Sequence, residues 1–239
     1  MSTLRRIAGR IHYVTDGSIR GREDFAIDVR ENDRTVRAYC EIDEGDLTRD
    51  ASWTLDSRHQ PVEGHVRVVQ HGKLVGSTWF AFTGDATECE SLTAAMGRAS
   101  QRLPGRVRYL GLHPLIGDGL IALARGREAP GEQQVIESVT CSYDINGESR
   151  LVALPIAIAV TYVGQEEIEV PAGAFLADHY ELQWQPHWPP AKLWVHGEDA
   201  LFLRLSWSVS QTVSELMQYE VADAPASPAL DWVPPNRGV

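Results

Sequence analysis

Residues 34–42 read RTVRAYCEI. Val36, Ala38, Cys40 and Ile42 fall on one side, and Arg37, Tyr39 and Glu41 on the other. A period of two places these sets on opposite faces of a half-buried strand. The same alternation recurs on both sides of this stretch. Ala51, Trp53 and Leu55 oppose Ser52, Thr54 and Asp56; Val66 and Val68 oppose His65 and Arg67; Thr78, Phe80 and Phe82 oppose Trp79, Ala81 and Thr83. Leu176–Trp184 and Leu201–Ser208 repeat it late in the chain. Turn residues separate the runs: Thr15–Asp16–Gly17, Glu31–Asn32–Asp33, His71–Gly72–Lys73, Asn146–Gly147 and Gly197–Glu198–Asp199. His71–Gly72–Lys73 and Asn146–Gly147 read as tight hairpin connections. About a dozen strands follow at the spacing of an antiparallel meander. A sheet that large twists and curls around a space, so the expected fold is all-β, one large bent antiparallel sheet or open barrel enclosing a cavity.

One segment interrupts the pattern. Leu110–Gly126 reads LGLHPLIGDGLIALARG, which predicts a short helix over Gly119–Arg125, with Asp118 as its N-cap and Gly126 ending it. This helix would bridge or plug the sheet. A single β domain over residues 1–221 is expected, with a loop-helix insert near 110–126. From Ala222 onward the chain reads ADAPASPALDWVPPNRGV, which predicts an extended tail. Its Leu230 and Trp232 offer contacts to its own domain or to a second copy, which leaves a homo-oligomer open.

Composition narrows the partners. Twenty-two basic against 33 acidic residues give a net charge of −11. Such a chain repels phosphate backbones and anionic lipid heads, which argues against nucleic acid and membrane surfaces. No apolar run reaches the roughly 18–20 residues of a membrane span, and the N-terminal residues show no apolar core of a secretory signal. Cys40, Cys89 and Cys141 are odd in number and form no CxxC pair. A reduced, cytoplasmic protein is the expectation, with Cys40 a small core residue.

Two stretches carry a family resemblance. Tyr13–Val68 contains DGSIRGREDFAIDV, TVRAYCEI and LTRDASWTLDSRHQPVEGHVRV; Tyr162–Glu220 contains YVGQEEIEVPAGAFLADHYEL, AKLWVHGEDALFLRLSW and VSELMQYE. Together they resemble a group of uncharacterised bacterial β-proteins of unknown function. In that group a VPAGTF turn precedes a strand, followed by an "LW…D" strand and a final "EL…Y" strand. The resemblance covers most of the chain except its middle. It implies one curved antiparallel sheet like the bent half-barrels of lipoprotein carriers. Its motifs are structural: Pro171–Ala172–Gly173 makes a turn, and Trp194 and Tyr219 fill space. It transfers no activity. Many members of the group look exported, which this N-terminus does not.

The sequence contains no GxGxxG after a strand, no GxxxxGKS/T loop, no HExxH and no GxSxG elbow. No cofactor and no metal are expected. Candidates for chemistry are therefore the polar side chains able to line a β-cavity. His113 sits among Leu112, Pro114, Leu115 and Ile116, where desolvation would keep it neutral as a base, with Asp118 as its partner or acid. The plain alternative makes Asp118 a helix cap and His113 a hydrogen-bonded loop residue. His179 and Glu181 share one strand face, Trp194 and His196 share the next, and Arg204 lies on the third. An imidazole, a carboxylate and a guanidinium meeting there could move a proton and steady an anion; the plain alternative is an outward face of weak cross-strand pairs. The i, i+2 spacing of His179 and Glu181, with His196, also permits a metal, although packing or solvent is the more frequent fate of strand histidines. Arg49 opens a strand and could clamp a carboxylate or sit at a rim. Trp53, Trp79, Tyr109, Tyr143, Trp194 and Trp207 form the pool able to stack on a ring.

Two functions of different class follow. One is a cofactor-independent lyase, isomerase or hydratase on a small apolar molecule, aromatic or terpenoid-like. His113 or His179 would be its base, Asp118 or Glu181 its acid, and Arg204 its oxyanion stabiliser. The other is a carrier that uses the same cavity without chemistry.

Overall fold

The computed structural model describes residues 3–225. The tail residues Leu230 and Trp232 lie outside them. Fifteen strands form one sheet, with a single α-helix among the described residues. The first arm comprises β1 (Thr3–Thr15), β2 (Ser18–Val29), β3 (Asp33–Ile42), β4 (Leu47–Asp56), β5 (Pro61–Gln70), β6 (Lys73–Thr83), β7 (Ala86–Thr93) and β8 (Gly97–Pro104). The second arm comprises β9 (Tyr109–Gly111), helix α1 (Leu115–Arg125), β10 (Gln133–Thr140), β11 (Leu154–Val170), β12 (Gly173–Gln183), β13 (Ala191–His196), β14 (Leu201–Trp207) and β15 (Thr212–Pro225). Each arm is a meander of neighbours, and the terminal strands β1 and β15 pair in the middle and join them. Residues 222–225, expected in the tail, thus belong to β15.

Every pairing is antiparallel except that of β9 with β10. Parallel neighbours need a crossover, and α1 supplies it. The alternation read from the sequence is the observed burial. In β4 every second residue is buried, with Leu47, Arg49, Ala51, Trp53 and Leu55 turned inward. The sheet rolls up because the edge of the second arm tucks inside the first. The Trp53 indole donates to the Leu110 carbonyl at 3.0 Å, and the Thr78 hydroxyl to that of Leu151. The Gln101 amide of edge strand β8 takes both backbone groups of Ala153, at 2.8 and 3.1 Å. These bonds satisfy backbone of β9 and of the connection that carries Leu151 and Ala153.

The helix is longer than expected. It begins at Leu115, and Pro114 at its cap position offers no side-chain bond. The cap comes from across the fold: the Glu23 carboxylate of β2 accepts the Leu115 and Ile116 amides at 2.7 and 2.9 Å. Asp118 lies one turn in and bonds Tyr109 instead of capping, so the expected start at Gly119 is corrected by a tertiary contact. Two glycines let the helix touch both arms. A Cβ on Gly117 would meet the Trp53 ring at 2.7 Å, and one on Gly119 would meet the Ala200 carbonyl at 2.9 Å. Glycine costs a helix about 1 kcal/mol each, and the close contact with both walls of the rolled sheet offsets it.

The expected hairpin at Asn146–Gly147 is not one. These residues turn within the long connection from Cys141 to Ala153, between β10 and β11. His71–Gly72, by contrast, does join β5 to β6. Cys40, Cys89 and Cys141 are buried free thiols.

Candidate functional site

A cleft of about 1000 Å³, its mouth included, opens beside the N-terminal half of α1. Its apolar wall is Ile156 and Ile158 of β11, Leu205 and Trp207 of β14, and Trp184 and Trp188 from the β12–β13 connection. Three indoles cluster there: Trp184 and Trp188 lie 5.1 and 5.3 Å from Trp207, ring centre to ring centre. The Trp207 N–H is spent on the Pro189 carbonyl at 3.0 Å, which fixes that ring. The polar wall is Tyr13, Arg20, Tyr109, His113, Asp118 and Thr140. The connection between β10 and β11 forms the lip through Tyr143, Asp144 and Ile145. An apolar body with a few converging polar groups is the usual make-up of a small-molecule site.

The polar wall rests on a buried cluster. Glu23 is inaccessible to solvent and accepts, besides the two helix amides, the Tyr13 hydroxyl at 2.6 Å. Burial raises its pKa, against the pull of these donors and of Arg49. Arg49 is 2% exposed, and its Nε and Nη2 have no hydrogen-bond partner among the described residues. Its charge acts on Glu23, Asp118 and His113 alike. Asp118 accepts the Tyr109 hydroxyl at 3.2 Å, and desolvation pushes its pKa up to about 7, with the Glu23 charge adding to the rise. Desolvation, with the Arg49 charge adding to it, takes His113 down to about 4. Neutral at physiological pH, His113 donates from Nε2 to the Ser142 carbonyl at 3.1 Å. It thus ties the helix approach to the lip.

Of the residues singled out from the sequence, Tyr109, His113, Asp118, Tyr143 and Trp207 meet in this cleft. The others do not. Trp53 is fully buried core beneath α1, and Arg49 lies behind the cleft wall. Trp79 is 42% exposed on the outer face of β6. His179, Trp194 and Arg204 do gather, but on the outer face. The His179 ring stacks on Trp194 at 4.6 Å, while the Arg204 guanidinium stands over the same indole and pairs with Glu215. The His179 Nδ1 lies 3.0 Å from Glu166, and Glu181 sits opposite Lys192 of β13. The second proton-transfer set, and Glu181 with it, is therefore separated from the cleft by the sheet itself. Among the described residues no group of three or more His, Cys, Asp or Glu is placed to hold a metal ion.

The sequence reading passed over Glu23, Tyr13, Arg20, Trp184 and Trp188. A signal existed for Glu23: it shares parity with Phe25 and Ile27, so a carboxylate stood at an inward position of an alternating strand. Trp184 carried one too, at the end of the alternating run Leu176–Trp184 and in parity with Tyr180 and Leu182; Trp188 carried none, because it belongs to a connection and not to a strand face.

Among solved structures, this fold is similar to a β-barrel-like protein of the domain of unknown function DUF1849 from Brucella abortus. The match has a TM-score of 0.60 and 9% identity over 92% of this chain and 98% of that one. A DUF1089 family protein from Pseudomonas aeruginosa gives 0.48 and 12% over 76% and 87%. At 9% identity the likeness to the DUF1849 protein shows fold alone. It agrees with the resemblance to uncharacterised bacterial β-proteins. No family model matches the chain, and no curated protein does.

Proposed function

We propose that the protein binds a small apolar, ring-bearing molecule in the cleft beside α1. The Trp184–Trp188–Trp207 cluster carries this reading. Three indoles line a cavity wall with the isoleucines of β11 beside them, where a guest ring would gain both apolar burial and aromatic contact. Quenching of tryptophan fluorescence by 2-naphthol tests it. Saturable quenching is expected, weakened about ten-fold by Trp188→Ala, since a lost aromatic contact with its buried area contributes roughly 1.5 kcal/mol. Linear, non-saturating quenching contradicts it.

A second reading, catalysis, has its own observation. Asp118 is a carboxyl poised near neutrality on the polar wall of the cleft, with the Tyr109 hydroxyl on it. Such a group can both give and take a proton at physiological pH. A cofactor-independent lyase, isomerase or hydratase would use Asp118 for the proton and Tyr109 to set its orientation. Turnover of ring-bearing substrates that is lost in Asp118→Asn, with affinity kept, supports catalysis; affinity without turnover leaves a carrier.

A further inference from the structure

We propose that the ligand of this cleft carries a carboxylate, received by Arg20 while its ring body lies on the indole cluster; this rests on the cleft being a binding site. The backbone points to Arg20. The register of β1 and β2 slips between Tyr13 and Val14: Tyr13 faces Gly21 and Val14 faces Ile19, which leaves Arg20 as the extra residue of a bulge. Counting inward positions back from Ile27, Phe25 and Glu23 leads to Gly21 and then Ile19. Strict alternation would thus bury Ile19 and expose Arg20. The bulge reverses this: Ile19 is 61% exposed, and Arg20 lines the cleft. A bulge that turns an apolar side chain out and a cation in re-aims a side chain at the expense of burial.

The guanidinium is held but not neutralised. Its Nη1 donates to Asn146 Oδ1 at 2.9 Å, and it lies 5.8 Å from the centre of the Tyr13 ring. Its Nε is buried with no partner, and no carboxylate lies within 4 Å of it among the described residues. In a chain with net charge −11, most other arginines do find a carboxylate. The other ionisable groups of the cleft do not fill the role. Asp144 takes the Ser149 hydroxyl, Asp118 takes that of Tyr109, and His113 is bound to the lip backbone.

The scale fits a small amphiphile. Ser18 pairs with Thr15, Thr15 with Thr212, and Thr212 with Trp207. Three strand steps of about 4.8 Å separate the β2 end from Trp207, roughly 14 Å along the sheet and less across its curve. One arginine beside two acidic residues favours a monoanion over a phosphate dianion, and its planar fork suits a carboxylate.

The test compares 2-naphthoate with 2-naphthamide at neutral pH by calorimetric titration. The naphthoate is expected to bind the wild-type protein about ten-fold tighter or better, the range of one charge-assisted hydrogen bond. In Arg20→Met that preference should vanish while the affinity for 2-naphthamide is kept. Equal affinities in the wild type, or a preference that survives Arg20→Met, overturn the carboxylate assignment and leave the cleft reading intact. Failure of both probes to bind overturns the cleft reading, and this assignment with it.

Discussion

The two faces of this one sheet handle charge in opposite ways. On the outer face, ions are many and paired. Arg10 chelates Asp24, Arg67 meets Asp50, Arg22 meets Glu41 and Arg204 meets Glu215. Such exposed pairs contribute about 0–1 kcal/mol each. On the inner face, ions are few and desolvated. Glu23, Arg49 and Asp118 share the space under one helix terminus, and their pairing is incomplete. The outer face pairs its charges in contact with water; the inner face gives up stability to groups with unusual proton affinity. Buried charge of that kind marks sites of binding or chemistry more often than it adds stability.

The largest expected contrast between the faces is between two tryptophans. Trp53→Ala empties the space beneath Gly117 and frees the Leu110 carbonyl, and should cost about 3–5 kcal/mol in urea unfolding. Trp79→Ala on the outer face should cost less than about 1 kcal/mol. Equal costs would mean that the helix is not docked on Trp53. Next comes a pair of carboxylates. Glu23→Gln puts a donor where the cluster needs an acceptor, and should destabilise by roughly 2–3 kcal/mol. Asp50→Asn, which breaks only the exposed pair with Arg67, should stay within about 0.5 kcal/mol. A Glu23→Gln variant as stable as the wild type would remove the helix cap from the account.

The third effect is a slope with pH rather than a single cost, and its sign separates two groups. Asp118 is raised from 3.8 to about 7, so the folded chain holds its proton more tightly. Its contribution is fully present below pH 4 and is lost as pH rises to 7. His113 is lowered from 6.5 to about 4, so its contribution is present above pH 6.5 and is lost as pH falls towards 4. Within this window the two slopes oppose each other. Asp118→Asn should remove one of them, so that stability relative to the wild type increases with pH by up to about 1.4 kcal/mol per unit. A difference curve that is flat from pH 4 to 7 would show that Asp118 titrates normally.

The same contrast explains what could be read from the sequence. The strands were legible because one inner and one outer residue alternate along most of them; RTVRAYCEI reads the same in the chain and in β3. The bent, all-β sheet followed from their number. What was not legible came from contacts between distant segments. The helix start could not be placed because its cap, Glu23, lies 92 residues from Leu115. Which face lined the cavity was not fixed by parity, since both faces of the late strands carry aromatics. His179, Glu181 and Arg204 share a face, as parity required, but that face turned out to be the outer one. Arg20 broke the parity rule through a bulge, of which Gly21 beside it was the one local sign. Arg49 was the reverse case: its place between Leu47 and Ala51 on an inward face was visible, and it is buried.

The most direct test of the cleft is a crystal structure of the protein soaked with 2-naphthol. The ring should appear between Trp184, Trp188 and Trp207, within reach of Asp118 and Arg20. Density for the ring against Trp79 or the His179–Trp194 stack, with the inner cleft empty, would contradict the account.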